Sequence, residues 1–108
     1  MGMTVYSLPL TNTKALRIVR EAATDSARVF FVEHARLRMR QRRISVADVL
    51  ACLRSGRITE PVHQDIRGRW KCALAGIVSG QHVTVATGFQ WDSTAECFLI
   101  VVTVITVF

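Results

Sequence analysis

Apolar positions recur at helical spacing in the first half of the chain and at alternate positions in the second half. In Thr13–Ala23, Leu16, Val19 and Ala23 stand at i, i+3 and i+7, the stripe of an amphipathic helix. Thr13 is placed to cap this helix and Thr24-Asp25-Ser26 to end it. Val29-Phe30-Phe31-Val32 is a short β-prone run. From Glu33 to Arg43 no Gly, Pro or β-branched residue interrupts a stretch of good helix formers. Ala35 and Met39, one turn apart, face the core, and His34 and Arg38 run alongside them. Ser45-Val46-Ala47-Asp48 has the form of a capping box. Val46, Val49, Leu50 and Leu53 follow it as an apolar stripe, with Gly56 as the C′ stop, so 45–55 reads as a third helix.

After Gly56 the period turns toward two. Strands are predicted over Arg57–Val62, closed by Pro61, then Trp70–Val78, His82–Trp91 and Glu96–Val107. Gln64–Gly68 reads as a polar loop, Ser79-Gly80 as a tight hairpin turn and Asp92-Ser93-Thr94 as a second turn. The last strand is apolar on both faces, which predicts a strand inside a sheet and covered on both sides. Helices followed by a meander predict an α+β fold, with N-terminal helices packed on a mostly antiparallel sheet of three to five strands. The 108 residues suffice for a single domain, 1–108, in which 1–11 forms an irregular lead-in.

Charge adds a direction. Residues 1–54 hold 10 basic and 4 acidic residues, whereas residues 55–108 hold 4 of each. The whole net charge of +6 therefore sits in the first half, and 12 of the 14 basic residues are Arg. That balance favours a polyanionic partner, and Arg is the better fork for phosphate. Genomic composition enriches Arg as well, so the bias has a bland explanation beside the physical one. Three cysteines, Cys52, Cys72 and Cys97, form no C-x-x-C pair and argue against a disulfide scaffold. The Cys97–Phe108 run is too short for a membrane helix, and the N-terminus lacks the pattern of a signal peptide. A cytoplasmic protein without a membrane partner is expected.

The densest chemistry lies in His34-Ala35-Arg36-Leu37-Arg38-Met39-Arg40-Gln41-Arg42-Arg43. Five arginines on one short helix repel one another, and a bound phosphate backbone would offset that repulsion. His34 stands at a strand-to-helix transition, where backbone N–H groups favour an anion. An imidazole titrates in the range that suits a general base. Arg36 and Arg38 are placed to steady the charge of a phosphoryl transition state. Arg40, Arg42 and Arg43 extend the surface. Lys71 is a further candidate at a phosphate, Trp70 at a base, and Arg67 and Arg69 flank the loop beside them. The competing readings are a solvated cationic face, a packing or capping histidine, and an edge-strand lysine that blunts sheet pairing. No metal-ligand spacing, phosphate-cradling glycine loop or dinucleotide fingerprint is present, so neither metal nor cofactor is expected.

The segment His34-Ala35-Arg36-Leu37-Arg38-Met39-Arg40-Gln41-Arg42, with Ile44-Ser45, Val49-Leu50 and the tail Val101-Val102-Thr103-Val104, resembles a family of small bacterial proteins of unassigned function. Arg67-Gly68-Arg69-Trp70-Lys71 is similar to its middle segment, and the resemblance spans roughly 28–108. That family looks like a distant relative of RelE-like toxins, within the barnase–EndoU–colicin–RelE group of ribonuclease folds. The resemblance implies helices on an antiparallel sheet, RNA held against that sheet, and metal-independent cleavage through the ribose 2′-OH. It also implies an antitoxin partner. Carried over, His34 is base or acid, Arg36 and Arg38 are phosphate ligands, and Lys71 is a weaker transfer. The chain departs from RelE-like toxins near its end: Glu96 precedes an almost wholly apolar strand, and no second acid–base group is visible. Two rival functions follow, a non-catalytic RNA- or DNA-binding module and a protein-interaction domain whose arginines meet an acidic partner.

Overall fold

The first helix, α1 (Asn12–Ala23), starts from Thr11, which has extended backbone and accepts a hydrogen bond from the Lys14 N–H at 3.1 Å. The cap is Thr11 and not Thr13, because only the residue before the first helical turn can aim its oxygen back at that turn. Residues 10–108 are described by a computed structural model. Most of the lead-in expected at 1–11 lies outside the described residues. Ala15, Ile18, Val19, Ala22 and Ala23 form the buried face of α1. A turn of 3-10 helix, Ser26–Arg28, leads into β1 (Val29–Phe31). Then follow α2 (Glu33–Arg42), α3 (Val46–Ser55), β2 (Arg57–Gln64), β3 (Trp70–Val78), β4 (Gln81–Asp92) and β5 (Cys97–Val107).

The fold is α+β: helices on one face of a five-stranded sheet in the order β1-β5-β4-β3-β2. β2 to β5 form an antiparallel meander. β1 joins the far side of β5 in parallel, Phe31 opposite Val102, which makes the sheet mixed. The capping box at α3 forms as its sequence predicts, with Ser45 and Asp48 exchanging two bonds of 3.0 Å. The Ser45 backbone N–H, with the Ser45 side chain adding to it, holds the Asp48 carboxyl below its ordinary range. The predicted hairpin turns through Ser79 (φ 51°) and Gly80 (φ 76°), the pair of positive angles of a type I′ turn.

Four expectations need correction in addition to the cap of α1. β2 does not close at Pro61 but runs to Gln64. It is an edge strand with register shifts around Glu60, where proline's missing N–H costs no ladder bond. Gly56 has φ −71° and ψ 175°, so its left-handed freedom is unused. The requirement there is close approach: a Cβ would stand 2.5 Å from the Cys52 carbonyl oxygen and 2.6 Å from that of Ala75. β5 is deeply buried on one face only, among the described residues. Phe98, Ile100, Val102 and Ile105 are buried, whereas Val104 on the other face is 44% exposed. An extra residue, Thr103, opposite the Ala86–Thr87 step shifts the inward phase between Val102 and Ile105. The fourth concerns the arginine surplus. Arg20 donates to the carbonyls of Leu53 and Gly56, both at 2.9 Å, and Arg54 donates to that of Ala23 at 3.2 Å. Arg28 donates to the carbonyl of Phe98 at 3.1 Å. These three guanidiniums satisfy the carbonyls of helix ends and a strand and belong to the frame, not to a ligand surface.

Candidate nucleic-acid interface

Helix α2 carries little apolar surface: only Ala35 and Met39 are buried. Its end is fixed by a Schellman turn. Arg43 sits in the left-handed region (φ 57°), and the Ile44 N–H reaches the carbonyl of Met39 at 2.9 Å. Met39 and Ile44 are both buried, the apolar contact that accompanies this motif. At the other end Val32 offers no side-chain cap. The first N–H groups of α2, including that of His34, are therefore left for water or an anion.

At roughly 100° per residue, His34, Arg38 and Arg42 descend one flank of α2, and Arg36 and Arg40 descend the other. The stripe of Ala35 and Met39 lies between them. His34 is exposed and Arg38 half-buried. Arg36 stands over the Phe31 ring, 5.5 Å from its centroid. Arg40 makes a loose pair with Glu33 at 3.9 Å, both side chains largely in solvent. Arg42 and Arg43 are exposed. Helical spacing thus sets His34 one turn from Arg38 on one flank and Arg36 on the other. Arg43→Gly is expected to relieve about 1 kcal/mol of left-handed strain and to give up about 0.3–0.5 kcal/mol of attraction to the helix dipole. Its urea midpoint should rise slightly; a fall would show that the guanidinium holds the turn.

Lys71 lies elsewhere. α2 packs against β5, and β3 is two strands further on, about 10 Å across the sheet. The Lys71 ammonium stands 3.4 Å from the Asp65 carboxylate. β3 is flanked by β4 and β2, so Lys71 is not the guard of a sheet edge either. Trp70 is half-buried and packs against the core, with its indole N–H buried and without an acceptor. It is not a free stacking platform. Arg67 and Arg69 are exposed on the β2–β3 loop. Asp65 accepts from both of their backbone N–H groups, at 2.8 and 3.0 Å. Its carboxyl is held below the ordinary range, chiefly by the Arg69 N–H, with Arg67 and Lys71 adding to it.

A feature that sequence reading missed is the sheet face turned away from the helices. In register across it lie Ala73 with Ala86 and Val104, Ala75 with Thr84, and Lys71 with Gly88 and Val101. Phe30, Val104 and Ile77 are exposed around these small residues. The signal was present as Ala-x-Ala in β3 and Thr-x-Ala-x-Gly in β4. A hollow of about 410 Å³ at the start of β2, lined by Arg57, Ala75, His82, Thr84 and Phe108 among others, contains none of the candidate residues. Burial raises the Cys52 and Cys72 thiols above their ordinary range, which keeps them protonated and inert. All three cysteines are free. Among the described residues no three His, Cys, Asp or Glu side chains are grouped to hold a metal, and no helix is long and apolar enough to cross a membrane.

The profile of a domain of unknown function, DUF4258, matches residues 31–108. The chain belongs to the DUF4258 family. No curated protein and no solved structure matches it. The DUF4258 span opens at the last residue of β1 and takes in α2, α3 and the whole meander. It thus includes every candidate residue. α1 lies before it, yet α1 completes the helical layer and holds the end of α3 through Arg20.

Proposed function

We propose that this DUF4258 chain is an RNA-directed toxin of RelE-like build, a metal-independent endoribonuclease whose basic face is covered by an antitoxin. The observation that carries the reading is the exposed His34, one turn from Arg38 on one flank of a helix where only Glu33 offers an acidic partner. In this reading His34 takes the proton of a ribose 2′-OH, the 2′-oxygen attacks phosphorus as the bond from phosphorus to the 5′-oxygen breaks, and the 5′-oxygen takes a proton from water. A 2′,3′-cyclic phosphate and a 5′-hydroxyl result. Arg38 faces the charge that builds on the phosphoryl oxygens. Arg36, Arg40, Arg42 and Arg43 hold the flanking phosphates.

A second reading, a non-catalytic RNA-binding module, is favoured by the pairing of Lys71 with Asp65 and by Arg36 lying on the opposite flank, which leave neither of these two candidates beside His34. The two separate on expression in bacteria with growth and RNA integrity followed. The toxin reading expects arrest and RNA cleavage by the wild type, relieved by Arg38→Ala. A chain that leaves RNA whole but binds it with a log–log salt slope near −0.7 per phosphate contact is the second protein. A chain that neither cleaves nor binds RNA overturns both and leaves a protein-interaction domain.

A further inference from the structure

The β2–β3 loop carries the most exposed large apolar side chain among the described residues, and it is tightly braced. The Asp65 N–H donates to the carbonyl of Arg69, and the Gly68 N–H donates to the carbonyl of Asp65, both at 2.9 Å. Gly68 has φ 80°. This is a three-residue hairpin loop, a tight turn closed by a left-handed glycine. The Asp65 carboxylate is tied from three sides, by the backbone of Arg67, the backbone of Arg69 and the Lys71 ammonium. Gln64 adds a bond to the carbonyl of Gly68 at 2.9 Å. What this bracing displays is Ile66, fully exposed, with the exposed Arg67 next to it and the exposed Arg69 beyond Gly68. An isoleucine left wholly in water on a preordered loop needs a reason, because nothing in the hairpin requires an apolar residue there.

We infer that this loop is a second, preorganised contact for single-stranded RNA, with Ile66 against the face of an unstacked base and Arg67 and Arg69 on the adjoining phosphates. Asp65 acts as the positioning residue. The inference rests on the RNA reading above and adds to it a contact remote from α2. Charge selects the partner: Arg67 and Arg69 follow the apolar tip on the same loop, and the Asp65 carboxylate before it is already occupied by Lys71. Apolar wedges used together with basic side chains are a known way of engaging nucleic acid. A single isoleucine is too little apolar area for stable membrane attachment. Preordering the loop lowers the entropy lost on binding, which gives Asp65 a function although it is an acid in a basic surface.

The test uses the full chain and a labelled oligouridine strand, with fluorescence anisotropy over a range of salt. Arg67→Ala with Arg69→Ala should weaken binding and flatten the log–log salt slope by about 1.4, at ~0.7 per phosphate contact. Ile66→Ser should weaken binding about tenfold with the slope unchanged. Asp65→Asn is the sharpest variant. It raises the net charge by one, so electrostatics alone predicts tighter binding, whereas loss of the brace predicts weaker binding. Tighter or equal binding by Asp65→Asn in a folded protein overturns the inference. If Asp65→Asn does not fold, Ile66→Ser and the arginine pair, all exposed side chains, decide the matter. Loop variants that bind as the wild type does, while Arg38→Ala and Arg42→Ala lose binding, overturn the inference and leave the RNA reading standing. No salt-dependent binding by the wild type removes both. Binding to phosphatidylglycerol vesicles that Ile66→Ser abolishes, with RNA binding unchanged, assigns the loop to a membrane surface and overturns it too.

Discussion

Gly56→Ala is expected to destabilise the fold by about 3 kcal/mol, a large share of the ~5–15 kcal/mol that holds a domain of this size together. Backbone conformation is not the cause, since any residue adopts φ −71° and ψ 175°. The obstacle is a β-carbon 2.5 Å from the carbonyl oxygen of Cys52 and 2.6 Å from that of Ala75. Both are backbone atoms and neither can turn aside. The first closes the last turn of α3, where it also accepts the Gly56 N–H at 2.7 Å. The second belongs to β3 at the point where β2 begins its pairing, Arg57 opposite Ala75. Making room means lifting the start of β2 from β3 or unwinding α3, and either change pulls the Gly56 carbonyl away from Arg20. Thermal unfolding should fall by about 15 °C. Gly76→Ala is the control. Its β-carbon would meet the Cys52 sulfur at 3.3 Å, a side-chain atom with some freedom to move, so its cost should be about 1 kcal/mol or less. Equal stability of Gly56→Ala and wild type would refute the close approach.

Gly56 also illustrates what the sequence makes legible. That a helix stops there is readable, because the capping box, the apolar stripe and the glycine lie within one short window. Why the stop must be glycine is not, since the colliding oxygen of Ala75 lies 19 residues further along the chain. The same division runs through the fold. The Ser45–Asp48 box and the Ser79–Gly80 turn are satisfied by their own neighbours and are read correctly. The parallel pairing of β1 with β5 joins Val29 to Ile100 and leaves no local trace. Arg20 and Arg54 look like surplus charge until the carbonyls they satisfy, 33 and 31 residues distant, come into view. At the candidate site, the His34–Arg38 juxtaposition follows from helical spacing alone. The separation of Arg36 follows from it too, at 200° from His34 by the same spacing rule of roughly 100° per residue. The Lys71–Asp65 pair is near in sequence but needed the hairpin geometry to be seen. The half-exposed outer sheet face needed the strand order, because a strand apolar on both sides looks the same whether one face or two are packed.

If the chain cleaves RNA, His34→Ala is expected to lower the single-turnover rate by about 10²–10⁴, the range for loss of a general base, while strand affinity changes by less than about threefold. Arg38→Ala should lower rate and affinity together, because a guanidinium that faces the transition state also meets the ground-state phosphate. Lys71→Ala should act through Asp65 and the loop: weaker binding, with the rate at saturation close to wild type. This ordering follows from position, as His34 and Arg38 share a flank of α2 whereas Lys71 is held by Asp65 two strands beyond β5. Among the described residues α2 offers His34 no second acid–base group on its flank, and this makes a finer demand. A base suffices to activate the 2′-OH, but an RNA 5′-alkoxide leaves poorly unless an acid gives it a proton. A uridine 3′-phosphodiester with a nitrophenolate leaving group needs no such acid. Wild type should therefore cleave the nitrophenyl ester far faster than the matching dinucleotide, and His34→Ala should lose both activities. A wild type that cleaves the two substrates at similar rates has a general acid that α2 does not supply. A His34→Ala variant that keeps its activity on the nitrophenyl ester removes the imidazole from the chemistry and leaves α2 as a grip for phosphate alone.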